Sequence, residues 1–585
     1  MFKLIFPYLL ILFLSLLPRL YSLGTIPTSL AHDEVDMIIQ AHSLRLTGTD
    51  LSGTWSPWSL LPNDAVMAEL GPAVNLPTLS LLPNSLFAAH ATSALLSSLY
   101  PLVLVLVLLS LGFSRRLSWF SGYALALSPW HILFSRTSLE QPTSLFFYTL
   151  SWLSLSTLFK AKNKKSILLS TFTFLTFYSI GFYTYHGYKF ALPLLTVILS
   201  LYHSYRQKRY LPLLIVALIT GGLYLRIMAN PSSYLSRGGE IAFLDKSRFS
   251  QVVDYDRRLS LLPDSLTQVF SNKPQAIVSL AVDKYLSVFS PDQLFTKGEK
   301  NGVFSTGRTG YLYLFLAPFV VIGFASLVTS GKSRDLLLLV LFLLSPLATV
   351  LHTNTSFAFR SAIFVVLLTV LSAKGVEVLA VRYSRLKVTL IAAALTLLSA
   401  AHFGYVYFGL YPVESSRAYF FGDRTLGTYL SHRSSERILV IDPQPRYIMS
   451  YLVLTNPDIT REVIAPLIGR YDVGEENNIY TLGSLTIRRD CPATLTESYD
   501  TVIVDFTLVE GLDQCPPLLA LQVNNQLSVR KIVDPLDSGV IKYLYNDKIC
   551  DDLTLSPYLS LDKVKDFGLE KMSRVQFCSR WIIAN

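Results

Sequence analysis

The chain has 585 residues, 51% of them hydrophobic, and a formal net charge of +10. A mean hydropathy of +0.43 is beyond what soluble domains reach over such a length and excludes a purely soluble protein. The basic excess does not point to nucleic acid, because Lys and Arg fall in short runs between apolar segments, the positive-inside pattern of membrane proteins.

A spanning helix needs about twenty mostly apolar residues. On that criterion eleven spans are predicted near 4–22, 89–113, 117–135, 141–159, 166–184, 189–204, 210–228, 311–329, 335–351, 358–381 and 388–410. The first stays apolar from Leu4 to Leu17, is long for a signal-peptide core and has no small-residue cleavage site. It reads as a retained signal anchor, with a cleaved signal peptide as the alternative. The inward connections are Ser114-Arg115-Arg116, Lys160 to Lys165, Tyr205 to Arg209, Lys332 to Arg334 and Arg382 to Lys387, and each carries Lys or Arg. Lys3 falls on the same side. The N-terminus is therefore expected in the cytoplasm, and the end of the chain outside a plasma membrane.

Two outward connections, 23–88 and 229–310, are far longer than ordinary loops, a length that goes with function or with structure of their own. In the first, Val35, Ile38, Ile39, His42 and Leu46 share a face of a short helix that ends before Gly48. In the second, otherwise mostly irregular, Ile277, Ala281, Tyr285, Leu286 and Phe289 do the same before Pro291. Both helices are expected to lie along the outer surface of the bilayer.

After Ser415 charges and alternating runs appear. Segments 437–442, 501–505 and 527–532 read as strands, and 419–432 and 447–454 as helices. The expected division is a membrane domain over 1–410 and an extracytoplasmic α/β domain over 411–585. All four cysteines lie in that second part. Two disulfides are expected there, with neighbours in sequence paired: Cys491–Cys515 and Cys550–Cys578.

Asp33 and Glu34 follow the first span. One reading is a helix start, with Asp33 as N-cap and Glu34 and Asp36 in a first turn favoured by the helix dipole. The other is a general base beside the bilayer that takes a proton from an acceptor hydroxyl. Arg136, Lys189, Arg308 and Arg360 sit at or near predicted outer boundaries. Arg pairs well with phosphate oxygens, whereas a snorkelling side chain explains the same placement. Arg360 breaks the inward rule for basic residues. Arg136 and Glu140 also have the spacing of a helical ion pair. Trp55, Trp58, Tyr183, Tyr185 and Tyr188 suit stacking on sugars and equally an interfacial aromatic belt. Asn354-Thr355-Ser356 matches a glycosylation acceptor. His90, His186 and His352 show no metal-site spacing, so no cofactor is expected, and dependence on a divalent metal is left open.

The chain resembles the GT-C superfamily of lipid-phosphate-sugar glycosyltransferases, in particular the protein O-mannosyltransferase and aminoarabinose transferase group (glycosyltransferase family 39-like). The residues that carry the resemblance are Asp33-Glu34 after the first span and Glu69-Leu70-Gly71-Pro72 later in that loop. They continue with Ser135-Arg136 and Glu140, Tyr183-Thr184-Tyr185 before Lys189, Ala358-Phe359-Arg360-Ser361 entering a late span, and Tyr285 to Pro291 followed by Leu294-Phe295. The resemblance implies a mostly α, polytopic membrane protein of GT-C fold with a C-terminal soluble α/β domain. It implies inverting transfer of a sugar from a polyprenyl-phosphate donor, with Asp33 as the base. Glu34 completes the catalytic pair, and Glu69, Tyr183, Tyr185 and the four cations hold the substrates. A glycosyl phosphate already has a good leaving group, so such chemistry needs one base and cations for the departing phosphate rather than a glycosidase's acid.

The pattern is not met everywhere. Leu70 follows Glu69 where aminoarabinose transferases carry a basic residue, and the folded outer domain stands at the end of the chain rather than between later spans. The acceptor, whether lipid, glycan or protein, stays open. The rival reading is a transporter or flippase of lipid-linked sugars, which calls for charges at mid-membrane and two matching halves. A non-catalytic scaffold is a third. Membrane lipids are expected partners and nucleic acid is not.

Overall fold

The computed structural model describes residues 2–53, 67–229, 246–350, 359–456, 459–468, 479–492, 499–510, 528–559 and 566–584. A helix lies at each of the eleven expected segments. Six are long and apolar enough to cross a membrane: Leu86–Ser110, Lys164–Thr184, Leu211–Ala229, Ser333–Val350, Ala362–Arg382 and Arg385–Glu414. Two shorter apolar helices are Ile5–Leu20 and Leu314–Thr329. Eleven crossings are more than length and apolarity alone support among the described residues.

Local chemistry sets where these helices start and stop. Ser114, Asn163 and Ser384 cap the helices that leave the basic turns, each side-chain oxygen accepting a backbone N–H three residues on. The expected span 117–135 is two helices, Arg115–Ala126 and Pro129–Ser135. Pro129 has no N–H to continue the first, and Ser128 caps the second. Helix Ala362–Arg382 is the centre of the bundle, 78% buried in its most apolar window, whereas Arg385–Glu414 is 6% buried and faces outward. Helix Ala317–Thr329 meets the central helix backbone to backbone. A Cβ on Gly323 would stand 2.0 Å from the Leu371 carbonyl oxygen, and one on Gly375 2.0 Å from that of Phe319. Small residues allow such contact where lipid supplies no hydrophobic drive.

The end of the chain forms one seven-stranded sheet in the order β2-β3-β1-β4-β6-β5-β7. The strands are β1 (Ile438–Ile441), β2 (Ile479–Leu482), β3 (Leu485–Arg488), β4 (Thr501–Asp505), β5 (Val529–Val533), β6 (Val540–Tyr545) and β7 (Ile582–Ala584). β3, β1 and β4 are parallel and the remaining pairs antiparallel. Gly483, at φ 59°, opens the two-residue turn between β2 and β3, where a residue free of Cβ strain is needed. Cys550 and Cys578 are bonded as expected. Cys491 is disulfide-bonded, and its expected partner Cys515 lies outside the described residues.

Two expectations change. The outer helix His32–Thr47 does not lie along the bilayer: every residue from Glu34 to Leu44 is buried. Val35, Ile38, Ile39 and Ala41 share a core with Phe421, Ile448, Leu452 and Ile464 of the C-terminal part. The hydrophobic face read from the sequence is real, but protein covers it instead of lipid. Some of the polar groups that follow it inside find partners: Leu51 N–H donates to Gln40 Oε1 at 2.8 Å and Arg446 to Asp36 at 2.5 Å. Asn84 fastens the same region by donating to the carbonyls of Leu454 and Asn456, both at 2.8 Å. A core thus runs across the expected boundary at 410. The second outer loop is not irregular over its described part. It holds the helices Lys246–Leu259, Asp264–Phe270 and Lys273–Ser287.

His42 is in the middle of the buried helix, 1% exposed. Burial, helped by Arg45, pulls its pKa from 6.5 down to about 4. Below pH 6.5 the unfolded chain takes up a proton that the fold refuses until about pH 4. Stability is therefore whole above pH 6.5 and falls by on the order of 3 kcal/mol toward pH 4. Replacing His42→Leu removes this loss. The melting midpoint of the variant relative to wild type should rise steadily between pH 6.5 and 4, and parallel profiles would refute the account.

Candidate functional site

The acidic pair after the first span is split by the fold. Ala31, not Asp33, is the N-cap of helix His32–Thr47, and Glu34 reaches back to accept its N–H at 2.8 Å. Glu34 is fully buried and also accepts the Ser138 N–H at 2.5 Å, with His90 Nε2 3.7 Å away. Asp33, one residue earlier in the same turn, is exposed. One carboxylate is held inside by backbone donors and the other is presented outward.

What surrounds Asp33 comes from the C-terminal part. His32 is sandwiched between Phe420 and Tyr447, with ring centroids 3.4 and 3.6 Å apart and planes within 16° and 10°. Its Nε2 lies 3.4 Å from Asp423. Burial, together with Asp36 and Asp33, holds the Tyr447 hydroxyl protonated well above its ordinary range. Behind Asp423 stands the buried Lys542, in contact with Asp442, at 2.7 Å from Asp505 and 3.4 Å from Asp423. Those three carboxylates hold its ammonium charged despite burial. Asp442 and Asp505 stand at the carboxyl ends of the parallel strands β1 and β4, the edge where open α/β sheets place ligands. None of His32, Phe420, Asp423, Tyr447 or Lys542 was marked by the sequence. They gather across 510 positions, from His32 to Lys542, with no local spacing to betray them.

A second cluster joins candidates that the sequence did mark. Lys189, 8% exposed, donates to both oxygens of the fully buried Glu69, at 2.9 and 2.7 Å. His186 Nδ1 is 3.0 Å from the same ammonium, and its Nε2 is 3.0 Å from the Met67 carbonyl. Leu70 N–H donates to the carbonyl of Tyr183 at 2.8 Å, and Lys189 stands over the rings of Phe182 and Tyr183. Tyr185 is half-buried, edge-on to Tyr188. The Tyr188 hydroxyl donates to the Phe359 carbonyl at 2.7 Å. Lys189 and Arg360 are each next in sequence to one of that pair. Glu140 acts electrostatically on Tyr188, so the short stretch from Ser138 to Glu140 links this cluster to Glu34.

The remaining cations are occupied. Arg136 is fully buried. It donates to the carbonyls of Pro18, Arg19, Tyr21 and Ile26 at 2.6–2.9 Å and to the Tyr407 hydroxyl at 3.2 Å. It staples the turn after the first helix. Arg308 forks onto Glu414 at the surface. Arg19, unmarked by the sequence, is likewise buried, bonded to Ser15, Ala126 and His131. Among the described residues no group of three or more His, Cys, Asp or Glu is arranged to hold a metal. Trp55, Trp58, His352 and Asn354 to Ser356 lie outside them.

Taking one partner from a buried ion pair leaves a charge without compensation, at about 3–5 kcal/mol. Glu69→Gln and Lys189→Met should each lower the melting midpoint of the detergent-solubilised protein strongly. The double variant should fall short of their sum by at least half. Additive losses would mean the two groups do not depend on each other.

No protein-family model matches the chain, and no curated protein sequence does. Solved structures of two other proteins are similar to it. One is ArnT from Cupriavidus metallidurans bound to undecaprenyl phosphate (12% identity, 92% of this chain and 98% of that chain, TM-score 0.45). Its apo state gives 11%, 92%, 97% and 0.47. The other is the oligosaccharyltransferase of Archaeoglobus fulgidus tethered with an acceptor peptide (11% identity, 93% of this chain and 74% of that chain, TM-score 0.44).

Proposed function

We propose that the protein is an integral-membrane glycosyltransferase acting at the outer face of a prokaryotic plasma membrane. It moves a sugar from a polyprenyl-phosphate donor to an acceptor hydroxyl in one inverting displacement. The acceptor oxygen bonds to the anomeric carbon as the bond from that carbon to the phosphate oxygen breaks. The hydroxyl proton passes to Asp33, and the phosphate leaves on its lipid.

The observation that supports this most is the buried cluster of Glu69, Lys189 and His186. A buried ammonium paired with a carboxylate suits the developing charge on a leaving phosphate, and Arg360, whose neighbour Phe359 is bonded to Tyr188, is the second cation assigned to it. Glu69 and His186 orient Lys189, and Tyr183 and Tyr185 wall the approach. Asp33 takes the base role because it alone of the acidic pair faces out. Glu34 and Arg136 serve by fixing the helix start and the preceding turn, and Arg308 has its donors on Glu414, so none of the three is assigned a contact with phosphate.

Asp33→Asn removes the base and keeps the shape. Transfer from a polyprenyl-phosphate sugar should fall by roughly 10²–10⁴, with donor affinity within about twofold of wild type. Unchanged transfer would take Asp33 out of the mechanism. Donor binding indifferent to Lys189→Met would remove the cluster from it.

A further inference from the structure

A water-facing cleft of about 540 Å³ opens on the C-terminal part between the start of helix Phe421–Ser431, the end of β4 and the hairpin of β5 and β6. That volume falls within the roughly 300–1,000 Å³ of small-molecule sites. Its chemistry is carried by Phe420, Phe506, Asp423, Asp534 and Arg417. We infer that it binds a neutral, hydroxyl-rich saccharide, and that on the transferase reading above this saccharide is the acceptor.

Four observations carry the inference. Phe420 and Phe506 are 37% and 39% exposed, two aromatic rings open to solvent in one concavity. The C–H face of a sugar ring covers such surface without stranding its hydroxyls. Carboxylates sit beside them, and a carboxylate accepts from hydroxyls without needing a charged partner. The contacts of Asp423, to His32 and Lys542, are both 3.4 Å, longer than charge-assisted bonds normally run. A hydroxyl donor would therefore improve its bonding. Asp423 stays ionised, held below the usual carboxylate range by Lys542 and His32 against the cost of burial.

The charge of the lining selects the class. Arg417 bonds to Asp534 at 3.2 Å and to Asp537 at 2.5 Å, so its fork is committed. One Arg against Asp423 and Asp534 leaves the walls formally negative, which disfavours phosphate- or sulfate-bearing acceptors.

Phe420 is also in the left-handed region, at φ 49° and ψ 44°. A bulky residue there costs about 1–3 kcal/mol and persists only where its surroundings dictate it. Phe420 lines the cleft and its ring stacks on His32, the neighbour of Asp33. The cleft and the proposed base are thus one ring stack apart, the arrangement that delivery of a hydroxyl to Asp33 requires.

The test uses the full chain in a detergent without sugar headgroups. Saturation-transfer NMR is run with maltotetraose, cellotetraose and α-1,6-mannotetraose as probes, and polyprenyl phosphate binding is measured on the same sample. At least one tetrasaccharide should show transfer, falling at least fivefold in both Phe506→Ala and Asp423→Asn. Phe506 is exposed and Asp423→Asn is isosteric, so the melting midpoint reports whether each variant is folded. No transfer to any of the three probes in wild type overturns the inference. So does transfer unchanged in the folded variants, or stronger binding of a sulfated analogue. Saccharide binding lost with donor binding intact strikes the cleft alone. Donor binding absent with saccharide binding intact strikes the transferase reading alone.

Discussion

A carboxylate with no access to water must be satisfied by the protein, and the surroundings of helix His32–Thr47 are organised around that demand at Glu34. Leaving such a charge unpaired would cost more than the folded state can spare. Its two oxygens take the Ala31 and Ser138 N–H groups, which lie far apart in the chain. The first bond starts the helix that follows, and the second docks that helix on the turn between helices Pro129–Ser135 and Glu140–Lys160. With Glu34 turned in, the pitch of the helix turns Asp33 out. The exposure of the proposed base is thus a consequence of the burial of its neighbour.

The same logic explains the arginines. Guanidinium groups in an apolar bundle need every donor occupied, and Arg136 meets that need with four carbonyls and a tyrosine hydroxyl. Those carbonyls belong to the turn after the first helix, where backbone acceptors would otherwise be orphaned at a helix end. Arg136 therefore solves two problems at once and fixes the stretch from Pro18 to Ile26. The helix that carries Asp33 begins at His32, separated from that stretch only by the segment from Pro27 to Ala31. Its position is inherited from a buried cation on another helix.

Periodicity and composition made the helices legible, because apolar length, basic turns and capping residues are local signals. Three strands were legible for the same reason. The turn at Gly483 was a further signal, and reading it would have recovered β2 and β3. The burial of helix His32–Thr47 was not legible. Its apolar face fits lipid and protein alike, and only the partners of Asp36, Gln40 and Asn84 decide between them. The pairing of Glu69 with Lys189 could not be read either, since 120 residues separate them and no spacing encodes such a contact. The residues themselves could be marked because acids and bases at an apolar boundary are costly wherever they lie. Sequence reasoning thus found who was unusual but not who met whom.

That distinction separates structural from chemical candidates. A side chain whose polar atoms are spent mainly on backbone groups can reach a ligand only by breaking bonds that hold the fold. Arg136 and Glu34 are in that position. Lys189 is not: its partners are side chains, and an ammonium can share a carboxylate with an incoming phosphate at small geometric cost. Asp423 is similar, held by two long contacts. The groups most open to ligands are therefore those whose present bonds are charged, side-chain and imperfect. The Asp423 cluster meets the first turn of helix His32–Thr47 through His32, and the Lys189 cluster is related to it through Glu140, which acts electrostatically on Tyr188. On the proposed reading a donor site and an acceptor site need a base between them, and Asp33 stands on the first turn of that helix.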